Sequence, residues 1–405
     1  MKNGWSTKML ADACEVFADG DWVESKDQSP GGIRLIQTGN VGEGVFKDRC
    51  EKARYISEPT FKRLRCTEIF KGDCLISRLP DPVGRSSILP DIGERMITAV
   101  DCTIVRFDQK QLIPEFFKYF SQSLDYLKAV EAETTGTTRK RISRSKLGQV
   151  AIPVPPLPEQ QRIVGILDEA FGGIATAKAN AAKNLQNARA LFESHLQSVF
   201  TQRGQGWVEK PLGDLATFRN GINFTKDSKG ERIKIVGVRN FQKYFSAPLD
   251  DLDTVTIDGK LGELDSLMQD DILAVRSNGN IELIGRTLLV GKVSEKISHS
   301  GFTIRIRLSN GSVLPKYVCH FMKSTSSRKR LADGGTGTNI KSLNQGMLSA
   351  LAIPFPSIPA QKILVEKLES ISAETQSLAR LYERKLAALE ALKKSLLHQA
   401  FIGQL

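Results

Sequence analysis

The sequence predicts a mixed α/β protein built twice, with two globular α/β domains alternating with two long helices that pair as an antiparallel coiled coil. The whole is a pseudo-twofold tandem repeat. Three observations predict it. First, a set of short motifs recurs at an offset of 198–202 residues. Second, each globular stretch alternates short apolar runs with Gly and Pro punctuation, as strands and turns do. Third, each repeat ends in about 45 residues with apolar positions at 4,3 spacing, the seam of a coiled coil. The predicted boundaries are 1–151 for the first globular domain and 152–203 for a proline segment plus helix. They are 204–352 for the second domain and 353–405 for its proline segment and helix.

The repeat is carried by ordered anchors. Gly4-Trp5 recurs as Gly206-Trp207, and Ile33 to Ile36 with Asn40 recurs as Ile233 to Val236 with Asn240. Asp73 to Arg78 recurs as Asp271 to Arg276, and Val83-Gly84-Arg85 as Ile284-Gly285-Arg286. Pro114 to Ser123 recurs as Pro315 to Ser324, and Leu191, Leu196 and Phe200 as Leu392, Leu397 and Phe401. Between anchors the sequences diverge, as Gly42–Lys71 against Gln242–Gln269 shows. A constant frame with divergent inserts suits two similar readers of different specificity.

Taken in order, Ile33–Ile36, Cys74–Ser77 and Cys102–Phe107 read as strands, and so do Ile233–Val238, Ile272–Val275 and Thr303–Leu308. Pro114–Leu127 reads as a helix opened by proline at its first turn. Asn40 and Asn240 read as turn residues. Two proline-rich segments, Ile152 to Pro158 and Ile353 to Pro359, read as stiff connectors, because proline fixes φ and keeps its predecessor out of the helical region. The helices then run from about 158 to 202 and from about 359 to 402. The expected seam includes Ile163, Leu167, Ile174 and Leu185 in the first, where the line shifts by one. In the second it includes Leu364, Leu368, Ile371, Leu378, Leu389 and Leu392. Gly172-Gly173 is a candidate kink in the first helix. An isolated helix of this kind exposes its apolar stripe, and the other repeat's helix is the economical partner.

The composition narrows the function classes. With 40% hydrophobic and 25% charged residues the chain is ordinary for a soluble globular protein. It opens with nothing resembling a signal peptide, and no apolar run approaches the ~20 residues of a membrane helix, so a cytoplasmic location without membrane attachment is expected. The six cysteines form no CxxC pair, which argues against a zinc or disulfide framework. The net charge of +12 sits mostly in the globular parts: residues 1–158 carry 24 basic and 21 acidic groups, and residues 204–359 carry 21 and 15. Such an excess is compatible with a phosphate-rich partner.

Ile152 to Val164, IPVPPLPEQQRIV, resembles the signature of type I restriction–modification specificity subunits. Ile353 to Val365, IPFPSIPAQKILV, is a degraded second copy. It has Ala360 in place of Glu159 but keeps Gln361 for Gln160. The alternation of globular domain and helix matches that family over nearly the whole chain. The resemblance implies two target-recognition domains that each read one part of a bipartite, asymmetric site in double-stranded DNA. It implies that the paired helices dock two methyltransferase subunits, and that motor-nuclease subunits join the assembly. This chain would then have no catalytic centre, no metal and no cofactor of its own. S-adenosylmethionine, ATP and Mg²⁺ would belong to the partners, which would methylate adenine and cleave.

The candidate DNA contacts follow from residue type. Thr138, Arg139, Lys140, Arg141, Arg144 and Lys146 lie in a run with five basic groups and no acid. Arginine pairs bidentately with guanine, while lysine mostly holds phosphate. The counterpart run offers Asn339, Lys341 and Asn344, whose amides suit adenine, with Arg328, Lys329 and Arg330 just before it. Arg78 with Arg276, and Arg85 with Arg286, are repeated arginines and rank lower, since a repeated ion pair explains them equally well. Two rival readings are a stand-alone Mg²⁺-dependent nuclease using Asp91, Asp108 and Lys110, and a helical scaffold that binds no DNA. There is no methyltransferase Asn/Asp-Pro-Pro-Tyr/Phe motif and no P-loop: Gly285 to Val293 has the wrong spacing.

Overall fold

The computed structural model describes residues 4–241, 245–309, 311–333 and 342–405. The chain forms two compact units, Met1–Ala182 with Arg384–Leu405, and Lys183–Glu383. Each unit therefore contains half of each long helix.

In the first unit a four-stranded antiparallel sheet runs Cys14–Asp19, Cys102–Phe107, Cys74–Ser77, Ser86–Ile88 in spatial order. A second sheet runs Gln28–Ser29, Tyr55–Ile56, Ile33–Ile36, Met96–Thr98, with only its last pair parallel. The second unit repeats both. One sheet is Ala216–Asn220, Thr303–Leu308, Ile272–Val275, Thr287–Leu289; the other is Asp253–Thr256, Arg232–Val236, Ile297–His299. The apolar runs read as strands are the inner ones, and Ile33–Ile36, Cys74–Ser77 and Ile272–Val275 are buried along their whole length. An ion pair between a buried aspartate and a half-buried arginine braces each main sheet. Asp73 takes two hydrogen bonds of 2.7 Å from Arg106, and Asp271 takes two of 2.7 Å from Arg307. The bidentate geometry offsets the cost of burying the carboxylate.

The proline segments are more than connectors. Ala151–Val154 pairs antiparallel with Ser6–Met9, and Ala352–Phe355 with Val208–Pro211. Proline is tolerated because each pair is an isolated two-stranded ribbon with edges on both sides. The helix expected over 114–127 is two helices, Pro114–Phe120 and Leu124–Ala132. Ser123 ends the first arrangement and starts the next, because its hydroxyl accepts from Tyr126 N and caps the second helix. The second unit breaks at Ser324, between Pro315–Lys323 and Thr325–Asp333.

The long helices run unbroken from Leu157 to Thr201 and from Ile358 to Phe401. Gly172-Gly173 does not interrupt the first: a Cβ at either would meet open space. Within the first unit the helices are antiparallel. Ile163 and Leu167 share a core with Leu397, Ala400 and Phe401, while further along Lys178 pairs with Glu390 at 2.6 Å. Within the second, Arg189 meets Glu383 at 2.8 Å, and Leu196 and Phe200 share a core with Val365 and Leu368. Ile163, Leu167, Ile174 and Leu368 are buried, and Leu185, Leu364, Ile371 and Leu389 are half-buried. Leu378 and Leu392 depart from the expected seam, being 41% and 47% exposed, while Thr375, Leu397 and Ala400 are buried. A strict heptad line drifts about 20° per heptad on a straight helix, so the buried stripe moves off it.

Each helix end closes a core. Phe401 stacks edge-on against Phe116 and Phe120, at 5.3 and 5.2 Å between ring centroids. Phe200 does the same against Tyr317 and Phe321, at 5.4 and 5.2 Å. The motifs repeated at 201 residues thus meet in the same constellation twice.

Candidate nucleic-acid interface

In each unit three segments converge on one corner through backbone hydrogen bonds. In the first unit Asp21 N donates to Thr98 O, Val100 N to Asp21 O, Arg78 N to Asp101 O, and Ile142 N to Arg78 O, at 2.7–3.3 Å. In the second the same places are filled by Ile222 N to His299 O, Gly301 N to Ile222 O, Arg276 N to Phe302 O, and Leu343 N to Arg276 O, at 2.8–2.9 Å. Ile142 and Leu343 are wholly buried and pin the third segment. Gly20 and Gly221 allow the crossing, because a Cβ there would lie 2.3 Å from Ala99 O and 2.2 Å from Ser300 O.

On this corner the first unit carries its basic run. Thr138, Arg139, Lys140 and Arg141 are exposed on a turn closed by the Thr135–Arg141 bridge. Ser143 then caps the short helix that holds Arg144 and Lys146. The run has no acid in sequence, yet the fold gives every cation a carboxylate. Arg139 and Arg141 face Asp101 at 3.8 and 3.1 Å, and Arg144 faces Asp19 at 3.7 Å. Lys140 meets Glu131 at 2.9 Å and Lys146 meets Glu133 at 3.1 Å. Exposed pairs of this kind are each worth about 0–1 kcal/mol, so the carboxylates hold these cations only weakly. Burial pushes the nearby Asp21 carboxyl up to about 6, against hydrogen bonds from Thr67 N and Cys66 that pull it down.

Arg78 and Arg85 belong to the frame and not to the contact surface. Arg78 is 5% exposed, bonded to Val100 O, and lies 3.1 Å from Asp19. Arg85 is buried and directs its guanidinium at four carbonyls, those of Val41, Leu79, Pro82 and Thr38, at 2.6–3.0 Å. Burial pushes both guanidinium pKa values down. Their partners in the repeat are used differently. Arg276 is half-buried at the corner, and Arg286 Nε donates to Glu282 O at 3.0 Å.

In the second unit Arg328 also donates to Glu282 O, at 2.8 Å, with its Nε buried, so it is largely structural. Lys329 and Arg330 are exposed. Asn344 is exposed, but its Oδ1 caps the following helix by accepting from Met347 N at 2.9 Å. It occupies the place of Ser143 in the first unit. Asn339 and Lys341 lie outside the described residues.

The signature glutamines join each globular part to its helix. Gln160, wholly buried, accepts from Ile113 N at 2.9 Å and donates to Gln111 O and Pro155 O at 2.7 and 2.8 Å. Gln361 accepts from Leu314 N at 2.8 Å and donates to Ser312 O and Pro356 O, both at 2.9 Å.

Two stretches, residues 2–184 and 204–385, match the family described as the type I restriction modification DNA specificity domain. The chain belongs to that family. Among its relatives is the type I restriction enzyme StySPI specificity subunit of Salmonella potsdam, 23% identical over 309 residues, 73% of this chain and 66% of the relative. The chain thus spans just under two thirds of that relative's length. In fold it is similar to a chain from a type I restriction–modification assembly, with TM-score 0.80, 15% identity and 100% and 99% of the two chains covered. It is also similar to the HsdS subunit from Thermoanaerobacter tengcongensis, with TM-score 0.62, 15% identity and 100% and 98% covered.

For a specificity-family chain, the residues suspected of nuclease chemistry have local structural uses. Asp108 caps a turn by accepting from Lys110 N at 3.0 Å and from Gln111. Asp91 accepts from Gly93 N at 3.0 Å. Among the described residues no group of three or more His, Cys, Asp or Glu is placed to hold a metal, and no helix is long and apolar enough to cross a membrane. Sequence reasoning missed the counter-charges, Asp19 and Asp101 from distant segments and Glu131 and Glu133 from the end of the preceding helix. It matched Gln361 to Gln160 but gave the pair no role.

Proposed function

We propose that this chain is the DNA-reading subunit of a type I restriction–modification complex, with each unit reading one half of a bipartite, asymmetric target. The observation that carries the proposal is the duplicated corner: one backbone frame, repeated hydrogen bond for hydrogen bond, presents unlike side chains in its two copies. Asp101 stands where the other has Phe302, and Ser143 where the other has Asn344. A shared frame with different presented residues is what two unlike half-sites require.

On this reading the exposed cations supply phosphate contacts, and base contacts come from the few residues that differ. Chemistry resides in partners: two methyltransferase subunits using S-adenosylmethionine, and motor-nuclease subunits using ATP and Mg²⁺. The proposed setting is the cytoplasm, where the genome is met directly.

Methylome sequencing of a host with and without the gene tests this. Deleting the gene removes adenine methylation at one interrupted, asymmetric motif and leaves other motifs untouched. An unchanged methylome in a strain that expresses the chain and its partners refutes the proposal.

A further inference from the structure

Among the described residues the two most exposed aromatic side chains are Trp22, at 68%, and Phe302, at 60%. They lie one in each unit, and both sit on the converging corner. Trp22 follows Asp21, whose backbone is fixed to Thr98 and Val100. Phe302 occupies the tip of the turn in the second unit that corresponds to Thr98–Asp101 in the first. The turn around it is held rigidly. Its carbonyl accepts from Arg276 N and Ser277 N at 2.8 and 3.3 Å, its N–H donates to Ser300 Oγ at 3.3 Å, and Thr303 Oγ1 donates to Ser300 O at 2.7 Å.

The Trp22 ring N–H donates to Glu24 Oε1 at 3.4 Å, and most of both rings is left to solvent. A ring held exposed on a fixed backbone meets an occupant without rearrangement of the fold, and covering it contributes about 1.5–3 kcal/mol to binding. The neighbouring charge says which occupant. Trp22 shares its corner with Arg139, Arg141 and Arg144, whose carboxylates are exchangeable surface partners. Phe302 lies beside the half-buried Arg276 and next to the segment bridged by Ser277 and Ser342. An exposed aromatic on a fixed turn, with cations carried on the same corner, matches duplex DNA, where apolar side chains meet thymine methyl groups or wedge between base steps while cations hold phosphate.

We propose that Trp22 and Phe302 are base-contacting, specificity-determining residues, each acting on a different half of the target. The proposal rests on the DNA-reading function above. The two rings come from different strands of the shared frame, Trp22 from the arm after Asp21 and Phe302 from the facing turn. They therefore approach the duplex from non-equivalent places, and this contributes to the asymmetry of the target.

The test is selection from a randomised duplex library by the full chain copurified with its methyltransferase subunits, for wild type, Trp22→Ala, Trp22→Phe and Phe302→Ala. Thermal melting first confirms that each variant is folded. The expected result is that Trp22→Ala relaxes base preference in one half only and Phe302→Ala in the other half only, each by about 10-fold. Trp22→Phe retains most of the preference. Unchanged stringency in both variants overturns the proposal, and so does a uniform loss of affinity across all sequences, which marks a phosphate or structural role. Loss of copurification with an unchanged motif marks a protein-docking role and also overturns it. A wild-type complex that enriches no motif removes the DNA-reading function itself, an outcome distinct from the others.

Discussion

Replacing Gln160 with alanine removes a buried side chain that satisfies three backbone groups at once: the N–H of Ile113 and the carbonyls of Gln111 and Pro155. The site is wholly buried, so the orphaned groups face a space that water reaches poorly. Leaving a buried polar group unpaired costs about 1–3 kcal/mol, and carbonyls tolerate it better than an N–H. The sum is a loss of roughly 3–5 kcal/mol for the first unit. Gln160→Glu costs more than alanine at neutral pH, because it aims carboxylate oxygen at two carbonyls. Urea unfolding read by tryptophan fluorescence measures the loss. Trp5 stacks on Phe116, three residues beyond Ile113, and reports on this site once Trp22 and Trp207 are replaced by phenylalanine. Gln361→Ala gives a matching loss in the second unit. A change below about 0.5 kcal/mol for Gln160→Ala would refute the idea that the glutamine couples the globular part to its helix.

Phe401→Ala destabilises the first unit by about 3–5 kcal/mol, and Phe200→Ala the second, because each ring fills a core; limited proteolysis should release fragments of the affected unit only. Arg139→Ala with Arg141→Ala weakens DNA binding alike for all sequences and lowers the salt slope by about one for each phosphate that is no longer neutralised; a titration between about 50 and 200 mM salt checks both, and an unchanged slope argues against phosphate binding there. His299 is buried against Thr303 at 2.9 Å, and burial depresses its pKa to about 3. The unfolded chain takes up a proton below about 6.5 and the folded one does not until about 3, so stability is full above pH 6.5 and falls as pH falls through this window. The slope is about 1.4 kcal/mol per pH unit, and His299→Asn removes it; equal slopes in denaturant titrations of the two proteins at about pH 6, 5 and 4 would contradict this.

The frame is legible because its determinants are local or periodic. Fully apolar runs such as Ile272–Val275 form inner strands, and proline at position 114 opens a helix. The early break of that helix is also written locally, in Ser123, but hydrophobic periodicity masks it. The corner is less legible. Arg85 reads equally as a DNA contact or a repeated ion pair, yet it is bound by four carbonyls from two separate loops, Thr38 with Val41 and Leu79 with Pro82, and no sequence window contains them. Likewise the run from Thr138 to Lys146 reads as uncompensated charge until folding brings Asp19, Asp101, Glu131 and Glu133 beside it. Charges paired over long sequence separations leave no local pattern. Phe302 offers no periodic signal either, since its meaning lies in standing where its counterpart is Asp101.

Because Phe401 completes the core around Phe116 and Phe120, the amino-terminal unit is closed by a residue from beyond the whole of the second globular part. While the chain emerges from the ribosome, that apolar cavity stays open until residue 401 has cleared the exit, and the half-made seam from Ile163 to Ala181 waits with it. Premature termination between the second globular part and residue 401 therefore leaves the first unit unfinished even though its own globular sequence has been made in full.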